Sequence, residues 1–377
     1  RSPSRGLGDV YKRQVLRCSF RSLTIGGLMY LAHPTPLPAA HGAVRNLVVA
    51  ITATSAFALL CCCRPSTAEP QSDTLELSLH DLSQLQEHIH PDRSCELPRD
   101  LKDLEEIRHV HQGSNFEVRL VAFLDSAGVQ RLFALKKVGS NGKASDGALA
   151  RACLARETDI LFKCSHDSIV KALCVLNAPD DEHVVLMEWF PYGDLFTLLQ
   201  REGYLSEKSA IFSAAEVIAA LEHLHARRIA HRDLKPENLL VDVGGHLKLT
   251  GLSYSKVISE RSYSIVGTLP YMAPELILNE GHGLAVDWWA FGVLLYEMTV
   301  GEPPFVDLGD ELTHYTWSQI ISGDVTYPST MSVHLQDLIG RLLDKMPQYR
   351  MGSGPSGAAE ILSHPCFSEA SNSAACV

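Results

Sequence analysis

One unbroken run of ten residues, 231–240, constrains this chain more than any other stretch. It reads H-R-D-L-K-P-E-N-L-L and follows a long helical pattern at residues 206–228. The run places a carboxylate at Asp233, an ammonium group at Lys235 and an amide at Asn238 within a few residues of one another. Such groups can accept a proton, neutralise an anion and bind a hard metal ion. A chance polar turn after a helix is the alternative, and the length of the match disfavours it.

The run resembles the catalytic loop of eukaryotic protein kinases, in the form that serine/threonine kinases carry. The resemblance makes Asp233 the acceptor of the substrate hydroxyl proton, Lys235 a contact of the transferring phosphate and Asn238 a ligand of Mg²⁺. It makes His231 and Arg232 structural residues of the same loop. The reaction implied is phosphorylation of a protein substrate, with ATP and Mg²⁺ as cofactors.

The resemblance fails at the next motif. Residues 247–250 read L-K-L-T, the strand that should lead into D-F-G, but residues 251–253 read G-L-S. Either two residues are deleted and the motif glycine remains, or D-F-G is replaced in register. The intervals from Asn238 to Gly251 and from Gly251 to Ser264 equal those usual in the family without a gap, which favours replacement. Both alternatives lose the aspartate that holds Mg²⁺, which leaves Asn238 as a weak metal ligand.

A second departure lies near the start of the kinase-like region. Residues 103–121 resemble the first strands of the cAMP-dependent protein kinase and its AGC relatives, which carry a hairpin G-x-G-x-x-G-x-V over the ATP phosphates. Aligned on Val118, the three glycine positions hold His111, Gly113 and Phe116. Glycine lets a backbone approach phosphate closely. We therefore expect a hairpin that clamps phosphate poorly.

The third strand and the helix after it keep the family pattern. The string F-A-L-K-K-V at residues 133–138 makes Lys136 the phosphate-contacting lysine, and A-R-E-T-D-I-L-F at 155–162 supplies Glu157. The resemblance implies a Lys136–Glu157 ion pair that orders the small lobe. The alternative, a surface lysine and a surface helical glutamate, is disfavoured by the flanking residues.

The string V-V-L-M-E-W-F-P-Y-G-D-L at residues 184–195 resembles a fifth strand and hinge. Met187 would be the gatekeeper, the backbones of Glu188 and Phe190 would face the adenine edge, and Asp194 would reach the ribose. A mostly apolar slot with a few polar groups suits a planar base. Its lining is expected from Val118, Ala134 and Leu240.

Residues 261–268, R-S-Y-S-I-V-G-T, resemble the activation loop of AGC kinases. Ser264 holds the phosphorylated position, where a phosphate could pair with Arg232. Thr268 holds the position of a threonine that bonds the catalytic aspartate and lysine.

Later motifs belong to the frame of the large lobe. The A-P-E motif ends at Glu275, which should pair with Arg350, and Asp287 begins a string typical of the central helix. The resemblance covers about residues 103–367 and predicts an α+β, two-lobed protein-kinase-like fold. A small antiparallel β lobe with one main helix (about 103–188) precedes a large, mostly α-helical lobe (about 191–367). Residues 368–377 are predicted to form a short tail, without the longer tail usual in AGC kinases.

The sequence before residue 103 lies outside the resemblance. Residues 1–14 look like the translation of a sequencing adapter and are excluded from the fold prediction, with Met29 as one candidate start. Residues 15–102 form an N-terminal extension. Its apolar run at 47–63 could be a signal-peptide core, a short membrane anchor or the apolar translation of an untranslated region. The run is shorter than the ~20 residues that a spanning helix needs. Leucines at helical spacing between residues 75 and 89 predict one amphipathic helix, docked on the domain or on a partner.

Charge and cysteine content limit which binding partners and which cell compartment are expected. The net charge of −11 gives no global basic footprint for nucleic acid. No C-x-x-C pair occurs among the ten cysteines, so a zinc site is not expected. The kinase-region cysteines are interpreted as reduced thiols of a cytoplasmic domain: Cys153, Cys164, Cys174 and Cys366. Membrane association through residues 47–63 is the alternative location.

Two functions follow from these motifs. The first is a pseudokinase or severely impaired kinase that acts as a nucleotide-binding or scaffolding and allosteric module. The second is an active AGC-like serine/threonine kinase with low or non-standard metal dependence, for which the H-R-D-L-K-P-E-N run remains intact. The lost Mg²⁺ aspartate and the two lost glycines favour the first. The expected partners are ATP, a protein substrate or client, and a separate regulatory chain.

Overall fold

The computed structural model describes residues 96–368, apart from 114, 140–143, 180–181 and 306–311. Four predictions therefore lie outside the described residues: the adapter-like stretch 1–14, the apolar run 47–63, the helix between 75 and 89, and the tail beyond 368.

The small lobe is built on one five-stranded antiparallel sheet with the strand order β1-β2-β3-β5-β4. Its elements are β1 (Glu105–Gln112), β2 (Phe116–Leu124), β3 (Gln130–Val138), helix α1 (Ala144–Lys163), β4 (Ala172–Leu176) and β5 (Val184–Glu188). Successive side chains of a strand point to opposite faces. Phe133 and Leu135 of β3 are therefore buried in one hydrophobic cluster, which leaves Ala134 and Lys136 on the face toward the large lobe.

Residues 96–102, which the sequence analysis assigns to the N-terminal extension, contact the small lobe. Leu97 and Leu101 pack against the buried cluster on the outer face of the sheet. The Leu101 amide donates to the Asn177 carbonyl and the Asn177 amide donates to the Arg99 carbonyl, which forms a short parallel bridge between Asp100 and Asn177. The prolines and charges around these leucines are typical of a linker, which is why residues 96–102 were assigned to the extension. The two partly buried leucines and these hydrogen bonds hold the segment against the sheet.

The large lobe is mainly helical. Its helices are α2 (Leu195–Glu202), α3 (Glu207–His225), α4 (Pro274–Ile277), α5 (Ala285–Val300), α6 (Leu312–Ser322), α7 (Val333–Leu342) and α8 (Ala358–Leu362). Two short antiparallel ribbons lie at the cleft: β6 (Ile229–Ala230) with β9 (Lys256–Val257), and β7 (Leu239–Val241) with β8 (Leu247–Leu249). Ser206 caps α3 by accepting a hydrogen bond from the Ser209 amide, so the helix begins there. Helix α5 is buried along most of its length and forms the centre of the lobe.

One hydrophobic cluster joins the two lobes. It contains Leu154 of α1 and Met187 of β5 together with apolar residues of α3, α5 and α7. The predicted α+β, two-lobed fold is confirmed. Within the described residues, no helix is both long and apolar enough to cross a membrane. The four described cysteines are all free thiols.

Candidate active site

A buried aspartate of α5 holds the loop that carries the 231–240 run. The Asp287 carboxylate accepts hydrogen bonds from the backbone amides of His231 and Arg232, both at 2.8 Å. His225 at the end of α3 lies 2.8 Å from the same carboxylate. Burial alone would raise the pKa of Asp287, but the hydrogen bond and charge of His225 hold the pKa below its usual value. The loop is thus anchored to the centre of the large lobe.

The loop brings four of the predicted residues together. Thr268 donates its hydroxyl to Asp233 at 2.8 Å and accepts from the Lys235 ammonium at 2.7 Å. The Lys235 ammonium also lies 3.4 Å from the other oxygen of Asp233. The Asn238 amide donates to that oxygen at 3.1 Å and to the Asp233 carbonyl at 2.7 Å. A carboxylate, an ammonium group and an amide therefore converge beside the cleft.

Gly251 lies directly against Asn238. Its backbone is left-handed, with φ of 76°, a conformation that glycine adopts without strain. A Cβ atom at this position would stand 2.3 Å from the Asn238 side-chain oxygen. The Asn238 amide thus occupies the space that a side chain at 251 would take. Leu252 is fully buried in the main core, so the segment keeps its apolar anchor.

This corner offers few ligands to a Mg²⁺ ion. The metal is usually held by one or two carboxylates together with substrate phosphates. Gly251 supplies no side-chain donor, and both oxygens of the Asp233 carboxylate already accept hydrogen bonds. The part of the chain that the structure describes contains no group of three or more His, Cys, Asp or Glu residues arranged to hold a metal.

Lys136 and Glu157 form a buried ion pair. The Lys136 ammonium lies 2.8 Å from both carboxylate oxygens of Glu157, and the Glu157 side chain is almost fully buried. The Ser253 hydroxyl donates to the same carboxylate. The ring of Phe116 covers the Lys136 ammonium at 4.9 Å. Two residues from altered motifs thus contact the pair.

The hairpin that should cover phosphate is closed by its own residues. The Gly113 amide donates to the Phe116 carbonyl at 2.8 Å and closes the turn between β1 and β2. The ring of His111 folds back toward Gly113, since a Cβ atom at 113 would lie 3.1 Å from a His111 ring nitrogen.

The expected adenine slot lies between the sheet and β7. Ala134 pairs with Met187 across β3 and β5, and Val118 pairs with Lys136 across β2 and β3. On the large-lobe side of the slot, Leu240 of β7 forms an isolated bridge with Asp194.

The hinge residues around the slot are engaged with the protein. The Glu188 carboxylate accepts from the Lys171 amide at 3.1 Å, and Phe190 is buried in the main core. The Asp194 carboxylate caps α2 by accepting from the Thr197 amide at 2.8 Å, so it serves a helix as well as facing the cleft.

The activation-loop serine contacts the predicted arginine. Arg232 donates to the Ser264 hydroxyl at 2.6 Å and to the backbone carbonyl of Tyr254 at 2.8 Å. Burial lowers the pKa of Arg232 to about 10, so it remains a cation at neutral pH. Lys256 donates to the hydroxyl of Ser262 at 3.2 Å, which places a second cation beside Ser264.

The predicted frame pair is formed deep in the large lobe. Arg350 donates to the two carboxylate oxygens of Glu275 at 2.7 and 3.0 Å, and both side chains are buried. Arg350 also donates to the Ala285 carbonyl at the start of α5 and lies over the Trp289 ring. The pair joins the end of the activation segment to the central helix.

Sequence reasoning missed three contacts of the site. His225 bonds Asp287, Lys256 stands beside Ser264, and Ser253 bonds Glu157. His225 and Lys256 are single polar residues inside apolar or mixed strings, so their partners gave no local signal. In the sequence, Ser253 stands out only as the residue in place of the motif glycine.

A family model for the protein kinase domain matches residues 105–367. The chain belongs to the protein kinase family. Human cAMP-dependent protein kinase catalytic subunit PRKX is 38% identical over 213 residues, which is 56% of this chain and 58% of that protein. The cAMP-dependent protein kinase catalytic subunit of Dictyostelium discoideum is 40% identical over 218 residues, 57% of this chain and 33% of that protein. The serine/threonine-protein kinase AtPK2/AtPK19 of Arabidopsis thaliana is 37% identical over 269 residues, 71% of this chain and 55% of that protein.

The family model and these relatives identify the domain as a serine/threonine protein kinase domain of the AGC type. The family uses ATP and typically Mg²⁺. The chain spans between a third and three fifths of the length of these three relatives.

Proposed function

We propose that this domain is a severely impaired kinase, or pseudokinase, that works mainly as a nucleotide-binding or scaffolding module. The observation that carries the proposal is Gly251, with the Asn238 side chain packed into the space above it. The family needs a metal ion there to bridge the β- and γ-phosphates and to neutralise charge during transfer. Loss of one such electrostatic element costs about 10²–10³ in rate.

Nucleotide binding is supported by the parts of the cleft that remain. Lys136 is aimed toward the cleft by Glu157, and Val118, Ala134, Met187 and Leu240 supply an apolar slot. Phe116 covers part of the lysine, and the hairpin lacks two of its glycines. We therefore propose weak binding that does not need Mg²⁺.

Residual phosphotransfer is a second candidate function, and the Asp233 cluster favours it. The Asp233 carboxylate can accept the proton of a bound hydroxyl, and Thr268 holds that carboxylate in place. Lys235, 2.7 Å from Thr268, can neutralise charge on the transferring group. A phosphate on Ser264 would meet Arg232, with Lys256 close by, and so could order the activation segment.

The proposed partners are ATP and a protein substrate or client, without nucleic acid. Two relatives are named as catalytic subunits. On that basis we propose that a separate regulatory chain is also a partner of this chain. We propose a cytoplasmic location, in line with the free thiols of the described cysteines.

A thermal-shift titration with ATP, run beside a phosphotransfer assay, tests the proposal. The full chain should be stabilised by ATP, and Lys136→Met should lose most of that shift. Transfer to basic peptides or to the chain itself should stay close to the level of an Asp233→Asn variant, with either Mg²⁺ or Mn²⁺. Transfer far above the Asp233→Asn level would support the active kinase, and the absence of any ATP shift would remove the nucleotide-binding part.

A further inference from the structure

The buried carboxylate of Glu157 has donors from both lobes. Lys136 reaches it from β3 in the small lobe, at 2.8 Å to each oxygen. Ser253 reaches it from the segment after β8, and its hydroxyl donates to one of those oxygens. Only 1% of the Glu157 surface is exposed. A carboxylate so deeply buried is costly unless donors replace its lost water.

The Ser253 hydroxyl is held firmly in position. Leu252 beside it is fully buried in the main core, and Ser253 itself is buried. A short 3-10 turn, Leu252–Tyr254, packs directly against α1. The backbone that carries the hydroxyl therefore belongs to the large lobe, while the carboxylate belongs to a small-lobe helix.

The lysine end of the pair is also covered from within the protein. Phe116 lies over the Lys136 ammonium at 4.9 Å and packs against the main hydrophobic cluster. Phe116 and Ser253 both stand where the family pattern has glycine. The altered positions that weaken the phosphate machinery thus supply contacts to the ion pair.

We propose that Ser253 is a positioning residue that keeps α1 docked and Lys136 aimed into the cleft without bound nucleotide or metal. Its hydroxyl ties Glu157 to the large lobe. A glycine at 253 would leave that carboxylate with Lys136 alone. The tie acts on the small-lobe helix itself, so it operates whether or not the domain transfers phosphate.

Amide hydrogen exchange of the nucleotide-free full chain tests this tie. Four proteins are compared: the wild type, Ser253→Ala, Ser253→Thr and Ser255→Ala. Ser255 is the matched control because it is a fully buried serine two residues away, whose hydroxyl donates to the His231 carbonyl and not to Glu157.

In Ser253→Ala, α1 should exchange at least about tenfold faster, the scale of a lost hydrogen bond to a charged group. Amides of α5 should keep their wild-type rates. Ser253→Thr keeps the hydroxyl and should keep the slow exchange of α1, and Ser255→Ala should leave α1 unchanged. Unchanged α1 exchange in Ser253→Ala would overturn the proposal. So would acceleration spread equally over α1 and α5, or a Ser253→Thr variant as fast as Ser253→Ala.

Discussion

The two sides of the cleft differ in what their polar groups contact. On the acceptor side, formed by Asp233, Lys235 and Thr268, the groups that would handle a substrate hydroxyl bond one another within 2.7–3.4 Å. On the phosphate side, formed by residues 111–116 and 251–253, the groups that would hold phosphate and metal are replaced by residues that contact the protein.

The residues on the phosphate side make contacts within the protein. Asn238 turns to Asp233 beside Gly251, Ser253 bonds Glu157, and Phe116 covers Lys136. The domain therefore keeps the geometry of a kinase cleft through internal contacts. The difference teaches that the shape of the cleft and a working phosphate site depend on separate sets of residues.

The largest expected effect concerns the frame of the acceptor side. Arg350→Met should lower the free energy of unfolding by about 3–5 kcal/mol, because it leaves Glu275 as a buried, unpaired carboxylate. Lys136→Met is the matched change on the phosphate side. It should cost only about 1–2 kcal/mol, since Glu157 keeps its donor from Ser253. Denaturant unfolding measures both, and equal losses would break the comparison.

Repair of the metal position is expected to give the next largest effect. Gly251→Asp with Leu252→Phe and Ser253→Gly should raise phosphotransfer by on the order of 10²-fold, the scale of one electrostatic element. Aspartate tolerates the left-handed backbone better than most residues, but Asn238 must rotate away from the new side chain. The assay is ATP-dependent labelling of a basic peptide.

Two further variants interpret the repair. Asp233→Asn in the repaired protein should abolish the gain, because the hydroxyl loses its proton acceptor. A repaired protein that keeps Ser253 separates the metal defect from the tie to Glu157. If no repaired protein transfers phosphate, the assembled acceptor side lacks catalytic meaning and the scaffold function stands alone.

Outside the two sides of the cleft, Glu297 of α5 is a buried carboxylate whose charge makes stability depend on pH. Burial raises the pKa of Glu297 to about 7, although the hydrogen bond from Tyr271 opposes this shift. The folded protein then binds more protons than the unfolded chain between pH ~4.5 and ~7, so this residue makes stability fall as pH rises through that window.

Glu297→Gln removes that ionisation while leaving an acceptor for Tyr271. Relative to wild type, the variant should gain stability with rising pH, by on the order of 3 kcal/mol by pH 8. Urea unfolding at a series of pH values measures the difference. A difference that does not vary with pH would contradict the raised pKa.

The smallest expected effect concerns Phe116. Phe116→Gly should uncover the Lys136 ammonium and tighten ATP binding by about threefold, the scale of a weak cation–π contact. Leu124→Gly is the control, since it makes a comparable change at an exposed site at the far end of β2. Weaker ATP binding in Phe116→Gly would show that the ring supports the nucleotide instead of obstructing it.

Local strings predicted most of the fold and much of the acceptor side. The 231–240 run indicated Asp233, Lys235 and Asn238 as candidate site residues, because all three lie close together in sequence. The helix expected at 206–228 is observed as Glu207–His225, ending slightly earlier than its pattern. The contact of residues 96–102 with the small lobe was not predicted, because two leucines among prolines and charges give no periodic signal.

The contacts on the phosphate side could not be read from the sequence. Ser253 and Glu157 are 96 residues apart, and a serine carries no mark of its partner. The hydrogen bonds of Asn238 to Asp233 place its amide in the space that Gly251 leaves. The Ser253 contact forms only when the two lobes are packed together. The Asn238 contact forms only when the 231–240 loop packs against the segment after β8.

The Mg²⁺ dependence of ATP binding tests the central claim most directly. Calorimetric titration of the full chain should give the same Kd in EDTA and in excess Mg²⁺, because Gly251 supplies no ligand for the metal. Gly251→Asp should instead bind ATP more tightly with Mg²⁺ than without it, by on the order of tenfold. A strong Mg²⁺ requirement in the wild type would contradict the account and would point to Asn238 as the metal ligand.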